Sequence, residues 1–157
     1  MSLPEPGAVW RAHADTEQAG AARFVAPGSA VGEEFGLFEY VAAAGSPGAM
    51  PHFHRGFSES FYVLSGRLAV MSGHEWGTAG PGDFVYVPRH GVHAFRAEGD
   101  EPARFLILFV PGAPRERFFT GMAELWAREK APTPEEIDAF ALECDQVNLR
   151  DWRGYPG

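Results

Sequence analysis

The chain has 157 residues, 45% of them apolar, which suits one domain with a well-buried core. Its formal net charge is −8 and its 13 basic residues are scattered, which excludes the basic stripe needed to bind a phosphate backbone. The longest apolar run, Phe105 to Pro111, is far shorter than the roughly 20 residues of a membrane-spanning helix. We therefore expect neither nucleic acid nor membrane as a partner.

The cysteine content and the N-terminal residues bear on the compartment. The single cysteine, Cys144, cannot form a disulfide within the chain. Residues Met1 to Pro6 lack the basic start and the apolar stretch of a signal peptide. We therefore expect a cytoplasmic protein.

Residues 1–34 are rich in Ala, Gly and Pro, and only Val9–Arg11 and Arg23–Val25 have strand-like composition. This segment is predicted to be an N-terminal arm with edge strands.

Residues 35–112 contain short strand signals separated by turns with Gly and Pro, such as the turn at Gly80 to Asp83. The predicted strands are Phe35–Ala43, Ala49–His54, Ser60–Ser72, Glu75–Ala79, Asp83–Pro88, His93–Ala97 and Ala103–Val110. No helical pattern interrupts this series, which predicts an all-β sandwich or barrel.

Residues 113–157 change to a helical period and are predicted to form two helices packed on the barrel or on a partner subunit. The apolar face of the first helix consists of Phe118, Met122, Leu125 and Trp126. The second helix has an N-terminal signature in Thr133, Pro134 and Glu136, which supply a cap, a first-turn proline and a capping-box glutamate. Its predicted inner face consists of Ile137, Phe140, Ala141 and Cys144.

Four residues of the β segment are candidates for metal binding. His52 and His54 are two positions apart in a predicted strand, so their side chains point to the same face. Glu59 enters the next strand at about the same level after a tight corner, and His93 opens a later strand as the available fourth ligand. Because a lone pair of histidines on a strand usually binds nothing, the prediction depends on all four residues together.

Three imidazoles and one carboxylate suit a single divalent transition metal, which could be Fe, Ni, Mn, Cu, Co or Zn, rather than Ca or Mg. A structural zinc site usually contains thiolates, yet Cys144 lies far away in a predicted helix. We therefore expect a site with coordination positions left for water, substrate or dioxygen.

The spacing of these residues resembles the two signature motifs of the cupin superfamily. The first motif corresponds to Gly45 or Gly48, His52, His54, Glu59 and Gly66, and the second to Gly82, Pro88, Gly91 and His93. The resemblance implies a jelly-roll barrel, also called a double-stranded β-helix, with the metal inside and one end open. Phe95 would then lie beside His93, and Phe61 and Val63 in line with Glu59. These three residues predict a mostly apolar substrate pocket that holds charged ligands less well.

Within that superfamily the chain is similar to one-barrel, quercetinase-like cupins. The similarity includes the Gly-Asp-Phe-Val-Tyr-Val-Pro strand starting at Gly82 and the His-Ala-Phe-Arg segment starting at His93. It implies a metal-dependent dioxygenase, an oxidoreductase acting on a small hydroxylated or enolisable organic substrate. Glu59 would then be both a metal ligand and the catalytic base.

Two other functions remain open. A metal-dependent isomerase, cyclase or lyase would use the same four ligands and the ion as a Lewis acid, without oxygen. A non-catalytic module would only bind a small molecule. In each case we expect a homodimer, because edge strands and apolar helices need cover.

Overall fold

The computed structural model describes residues 7–112, 114–153 and 155. Within these residues the chain forms two antiparallel sheets and two α-helices. The strands are β1 (Gln18–Ala19), β2 (Ala22–Ala26), β3 (Gly36–Ala42), β4 (Ala49–Phe53), β5 (Ser58–Ser65), β6 (Leu68–Ser72), β7 (Glu75–Ala79), β8 (Phe84–Val87), β9 (His93–Ala97), β10 (Ala103–Val110) and β11 (Val147–Asn148). The helices are α1 (Arg115–Trp126) and α2 (Pro134–Glu143).

The strands alternate between the two sheets in the manner of a jelly roll. One sheet has six strands in the order β1-β2-β3-β10-β5-β8, and the other has five in the order β11-β4-β9-β6-β7. Consecutive strands such as β4 and β5 therefore lie in different sheets, which places their inward side chains opposite each other. The predicted all-β jelly-roll fold with two C-terminal helices is confirmed.

Most strand predictions agree with the structure, but the predicted strand Ser60–Ser72 was wrong. It divides into β5 and β6 at Gly66, whose φ is +73° and where a Cβ would lie 2.2 Å from the carbonyl oxygen of Pro102. Only glycine fits this position without strain, so the chain turns here and crosses to the other sheet. Val9–Arg11, the other strand-like piece of the N-terminal arm, is not a strand in the structure.

The core lies between the two sheets and is built largely from phenylalanine. In β10 the inward residues Phe105, Ile107 and Phe109 alternate with more exposed ones, as a strand period of two requires. Phe105 packs with Phe61 at 5.9 Å between ring centroids, and Phe109 packs edge-on against Phe38 at 5.8 Å. These contacts fill the space between the sheets, and Phe109, which pairs with Glu59 in the register of β10 and β5, brings the aromatic core up to the polar side chains.

The second helix starts where the sequence predicts. The Thr133 side chain accepts a hydrogen bond from the Glu136 backbone N–H, and the Glu136 side chain accepts one from the Thr133 backbone N–H. Pro134 occupies the first helical position, where a missing N–H costs nothing. The helix contacts α1 and β11, and Ala141 and Cys144 are its fully buried inner residues.

The predicted division into 1–34, 35–112 and 113–157 stays a prediction, and positions 1–6, 113, 154, 156 and 157 lie outside the described residues. Among the described helices, none combines the length and the apolar character needed to cross a membrane.

Candidate metal centre

The four predicted ligands come together at one end of the sandwich. One side-chain ligand atom from each of His52, His54, Glu59 and His93 lies within 4.8 Å of all the others. All four side chains are buried, with at most 3% of the residue surface exposed. The structure thus brings together all four residues that the sequence selected as metal ligands.

Strand pairing explains how the cluster forms. His52 on β4 is directly opposite His93 on β9 in the five-stranded sheet, and their rings lie 4.1 Å apart. Glu59 reaches them from β5, which belongs to the facing six-stranded sheet. His54 follows the end of β4, and its ring stacks on Phe57 at 4.3 Å. The site therefore exists only where both sheets meet.

The backbone fixes which nitrogen of each imidazole faces the centre. Nδ1 of His52 lies 2.7 Å from the carbonyl oxygen of Met50, and Nδ1 of His93 lies 3.0 Å from that of Gly91. Nδ1 of His54 lies 2.7 Å from the carbonyl oxygen of Asp145. Because a carbonyl oxygen can only accept, each Nδ1 must carry the proton, and each neutral ring presents the lone pair of Nε2. This is the tautomer that a metal-binding histidine needs.

Asp145 holds this arrangement from the C-terminal segment. Its carboxylate accepts hydrogen bonds from the backbone N–H groups of Arg55 and Gly56, at 3.1 Å and 2.7 Å, while its carbonyl accepts from His54. The residue has a positive φ of 56°, which aspartate tolerates better than most side chains. Asp145 thus fixes both the corner after β4 and the orientation of one ring.

The Glu59 carboxylate completes the set of inward lone pairs. Its Oε2 lies 2.9 Å from Nε2 of His54, 2.8 Å from Nε2 of His93 and 4.0 Å from Nε2 of His52. Lone pairs this close repel unless a proton or a metal ion lies between them. The geometry therefore calls for a cation.

The electrostatic environment disfavours the proton. Burial lowers the pKa of His52 well below its usual value, and the neighbouring His93 and His54 lower it further. Burial also lowers the pKa of His54. For Glu59, burial by itself would raise the pKa, but the positive charge and hydrogen bonds that His93 and His54 supply when protonated outweigh it and hold the pKa well below its usual range, so the carboxylate stays ionised beside a cation. Neutral imidazoles around an ionised carboxylate are what a divalent transition metal prefers, so the residues fit such an ion.

A cavity of about 1100 Å³ opens beside the cluster. His52 and Glu59 form part of its wall, and α1 and α2 contribute residues such as Phe119, Met122 and Ile137. The two helices thus shape the space next to the candidate metal centre, which is room enough for a drug-sized organic molecule.

The predicted pocket residues need a correction. Phe95 lines the cavity, but Phe61 and Val63 do not; they are 0% and 1% exposed in the hydrophobic core. They share the inward face of β5 with Glu59, as predicted, yet they lie deeper, where the sheets close and Phe61 packs against Phe95 at 5.3 Å. The alternation of side chains along a strand predicts on which face of the sheet a residue lies, but not how deep it lies between the two sheets.

The structure also shows a cavity residue that the sequence reasoning missed. Arg115, the first residue of α1, lines the same cavity and is only 3% exposed. The wall is therefore less uniformly apolar than predicted. A signal was available, since Arg115 lies three residues before Phe118 and therefore on the predicted apolar face of the first helix.

The protein is thus a two-sheet jelly roll. Both sheets contribute to a cluster of three histidines and one glutamate at its open end, and such a cluster is a candidate metal site. A family model described as "Cupin domain" matches residues 37–109, which include all four candidate ligands. The chain belongs to the cupin superfamily.

Comparison with curated proteins gives one relative with a stated activity. The chain is 30% identical to the quercetin 2,3-dioxygenase of Bacillus subtilis (strain 168) over 114 residues, which are 71% of this chain. The chain covers only 32% of the length of that protein.

Solved structures with the same fold carry different names. KdgF from Halomonas sp. has a TM-score of 0.55 at 22% identity, covering 68% of this chain and 94% of its own. The polyketide cyclase RemF from Streptomyces resistomycificus has a TM-score of 0.52 at 23% identity, covering 64% and 78%. A sugar phosphate isomerase of the cupin superfamily from Silicibacter pomeroyi DSS-3 has a TM-score of 0.50 at 25% identity, covering 57% and 59%. The first two show the fold alone.

Proposed function

We propose that this chain holds one divalent transition metal with His52, His54, Glu59 and His93 and is a dioxygenase acting on a small hydroxylated or enolisable organic substrate. The observation that carries the proposal is the convergence of three Nε2 lone pairs and one carboxylate beside a cavity of about 1100 Å³. The ion is Fe, Ni, Mn, Cu or Co, since each accepts imidazole and carboxylate ligands and can change oxidation state; Zn fits the same ligands but has no redox chemistry.

The curated relative supports oxygen chemistry over other cupin reactions. Its name, quercetin 2,3-dioxygenase, belongs to a protein that shares 30% of its residues with this chain over a segment covering the whole site.

A bound metal ion would supply Lewis acidity toward a substrate hydroxyl and a route for electrons to dioxygen. The protein's own part is to hold the substrate and to move its proton. Within the described residues, Glu59 approaches His54 and His93 through Oε2, so Oε1 is the oxygen left to take a proton from a substrate in the cavity. Its low pKa means that Glu59 accepts a proton only from an already acidified hydroxyl.

The apolar part of the cavity would exclude water from the reacting groups. Phe95, Ile107 and Phe119 contribute to its wall, next to His52 and Glu59. A dry environment strengthens the interactions of Glu59 with the reacting substrate and limits side reactions.

The second candidate is a metal-dependent isomerase, cyclase or lyase, in which oxygen takes no part. The same four ligands would serve, and the similarity to a sugar phosphate isomerase at 25% identity favours it. It differs from the first proposal in tolerating zinc, a metal without redox chemistry.

Metal analysis followed by assays with and without oxygen tests the proposal. We expect a redox-active metal in the purified protein and oxygen uptake with at least one member of a panel of flavonols, enediols and hydroxylated aromatics. Turnover that persists without oxygen in the zinc-loaded protein would favour the second candidate. Binding of panel compounds without turnover in either condition would indicate a non-catalytic binding protein.

We also propose that the chain forms a homodimer through the outer face of β5 and β8. Tyr62, Phe84 and Tyr86 are 44%, 62% and 59% exposed and lie next to one another in the register of these strands. β8 is the edge strand of its sheet, so the edge beside this face has unpaired backbone groups. A second copy of the chain would cover both features in a symmetric contact.

A further inference from the structure

Arg115 is a buried cation with no ion-pair partner among the described residues, and the carboxylates of Glu59 and Asp145 act on it only from beyond ion-pair distance. Among the described residues, no carboxylate lies within ion-pair distance of its guanidinium group, although the group is almost fully buried. Burial lowers its pKa to about 10, so it still carries its charge at neutral pH. A buried, unpaired charge is costly, and such a cost is usually retained for a reason.

The guanidinium group has donors to spare. Nη2 donates to Oε1 of Gln146 at 3.0 Å and Nη1 donates to the carbonyl oxygen of Cys144 at 3.5 Å. These bonds use two of its five N–H groups, and Nε has no partner among the described residues. A planar group with free N–H donors matches a carboxylate, which accepts two of them side by side.

Aromatic rings hold the guanidinium group in place. Its carbon lies 3.9 Å from the ring centroid of Phe118 and 5.0 Å from that of Phe109. Phe57 and Phe119 follow at 5.6 Å each. These rings offset part of the desolvation cost and fix the group beside the cavity, but they cannot neutralise its charge.

The charge balance of the cavity points to an anion. Arg115 and Glu59 line the same cavity, and by themselves they cancel. A divalent ion bound by Glu59 and the three neutral histidines adds two positive charges, which nothing in that set balances. An anionic ligand would reduce this excess of positive charge at a place where burial limits screening by water.

We propose that Arg115 binds the carboxylate of an organic acid substrate, whose apolar body lies in the cavity and whose hydroxyl or enol group faces the metal centre. This inference rests on the proposed function for the identity of the site. It replaces the expectation of a pocket that holds charged ligands poorly, and it narrows the substrate class to hydroxylated or enolisable organic acids.

A purely structural role for Arg115 is the competing explanation. Its bonds to Gln146 and Cys144 join the start of α1 to the segment after α2, which would stabilise the helical pair. Such a role predicts that removing the charge weakens folding but leaves any preference among ligands unchanged.

The experiment compares two ligands of equal shape in the metal-loaded protein. 2-Naphthoate and 2-naphthamide differ by one charge, and isothermal titration calorimetry gives Kd for each. We expect the wild-type chain to bind the acid about 10-fold more tightly than the amide or better. In Arg115→Met most of this preference should be lost, with the affinity for the amide changed less than about twofold, because the apolar cavity remains.

Two further variants separate binding from stability. Gln146→Glu would give the guanidinium group a carboxylate partner in place of the amide oxygen that now lies 3.0 Å from Nη2. It should abolish the preference for the acid while leaving Arg115 and the fold in place, at the cost of the bond from Gln146 to Asn148. Arg150→Met is the matched control, because Arg150 lines the same cavity but is already paired with Asp138.

The outcomes are distinct. If wild type shows no preference for the acid, or if Arg115→Met retains it, the anion is not bound by Arg115 and the inference is wrong. An equal loss in Arg150→Met would also overturn it, because the effect would then come from the general potential of the cavity. Should Arg115→Met not fold by circular dichroism, Gln146→Glu alone decides. A clear acid preference without any oxygen uptake would contradict the dioxygenase proposal and leave this inference standing.

Discussion

Glu59 and His93 are 34 positions apart in the chain, yet Oε2 of the one lies 2.8 Å from Nε2 of the other. They belong to strands in different sheets, so the contact forms only when the two sheets pack. An ion bound between them would bind the folded state and not the unfolded chain. Metal binding and folding are therefore expected to be coupled at this site.

Removing a single imidazole should remove the metal. We expect His52→Ala and His93→Ala to fold but to retain less than about one-tenth of an ion per chain by elemental analysis. The reason is that the three remaining ligands would bind the ion too weakly to keep it. Added metal should raise the wild-type melting temperature and leave that of both variants unchanged. His74→Ala is the control, since its ring stacks on Trp152 away from the centre. Full metal content in the two cluster variants would contradict the ligand assignment.

Glu59→Gln tests the role of the carboxylate in proton transfer. The amide keeps the size of the side chain but removes its charge and its basicity. We expect turnover to fall by about 10² to 10⁴ with a smaller loss of bound metal, and steady-state oxygen uptake normalised to metal content measures it. Glu75→Gln, at an exposed position on β7, is the matched control. Undiminished turnover per bound metal ion would exclude Glu59 as the base.

Local sequence signals predicted much of the fold and all four members of the cluster. The pair His52 and His54 and the cap at Thr133 are each defined by neighbours within a few residues, so spacing alone is informative. Arg115 and Asp145 were missed because their roles depend on contacts with distant parts of the chain. The contact between Asp145 and His54 spans 91 positions, and no periodicity predicts it. The cytoplasmic location stays a prediction, because no structural feature tests it.

The outer face of β5 and β8 should determine the oligomeric state. The chain mass is 17.1 kDa, so light scattering after size exclusion should give about twice that value for the wild type. We expect the double variant Phe84→Glu with Tyr86→Glu to run as a monomer, because two charges would be buried in the contact. Trp10→Glu is the control, since Trp10 is 91% exposed on the N-terminal arm. A monomeric wild type at micromolar concentration would contradict the homodimer.

Gly66 and Gly73 form a matched pair that tests why glycine is needed where the chain crosses from one sheet to the other. Both have positive φ, 73° and 64°, but a Cβ at Gly66 would lie 2.2 Å from the Pro102 oxygen, whereas one at Gly73 meets nothing within 4 Å. We expect Gly73→Ala to lower the free energy of unfolding by about 1 kcal/mol and Gly66→Ala by more than about 3 kcal/mol. Urea unfolding measures both. Equal losses would mean that backbone conformation, not the contact with Pro102, makes glycine necessary at Gly66.

The buried cluster should also make the metal-free protein sensitive to acid. Burial lowers the pKa of His52 and His54 in the folded state below the ordinary value of 6.5, so below that pH the unfolded chain binds protons that the folded chain does not. Stability is then fully present above pH 6.5 and falls as the pH decreases. Glu59, whose folded pKa lies below the ordinary 4.5, extends the loss in the same direction at lower pH.

Urea unfolding in the presence of a chelator measures this loss. Between pH 7.5 and 5.5 we expect the free energy of unfolding of the metal-free wild type to fall by about 1–3 kcal/mol, because two buried histidines contribute. In the double variant His52→Ala with His54→Ala, the same change of pH should have a much smaller effect. The double variant His13→Ala with His74→Ala, at exposed positions, should behave like the wild type. A stability that stays level across this range would show that the imidazoles are protonated in the folded state, and the case for neutral, inward-facing Nε2 lone pairs would fail with it.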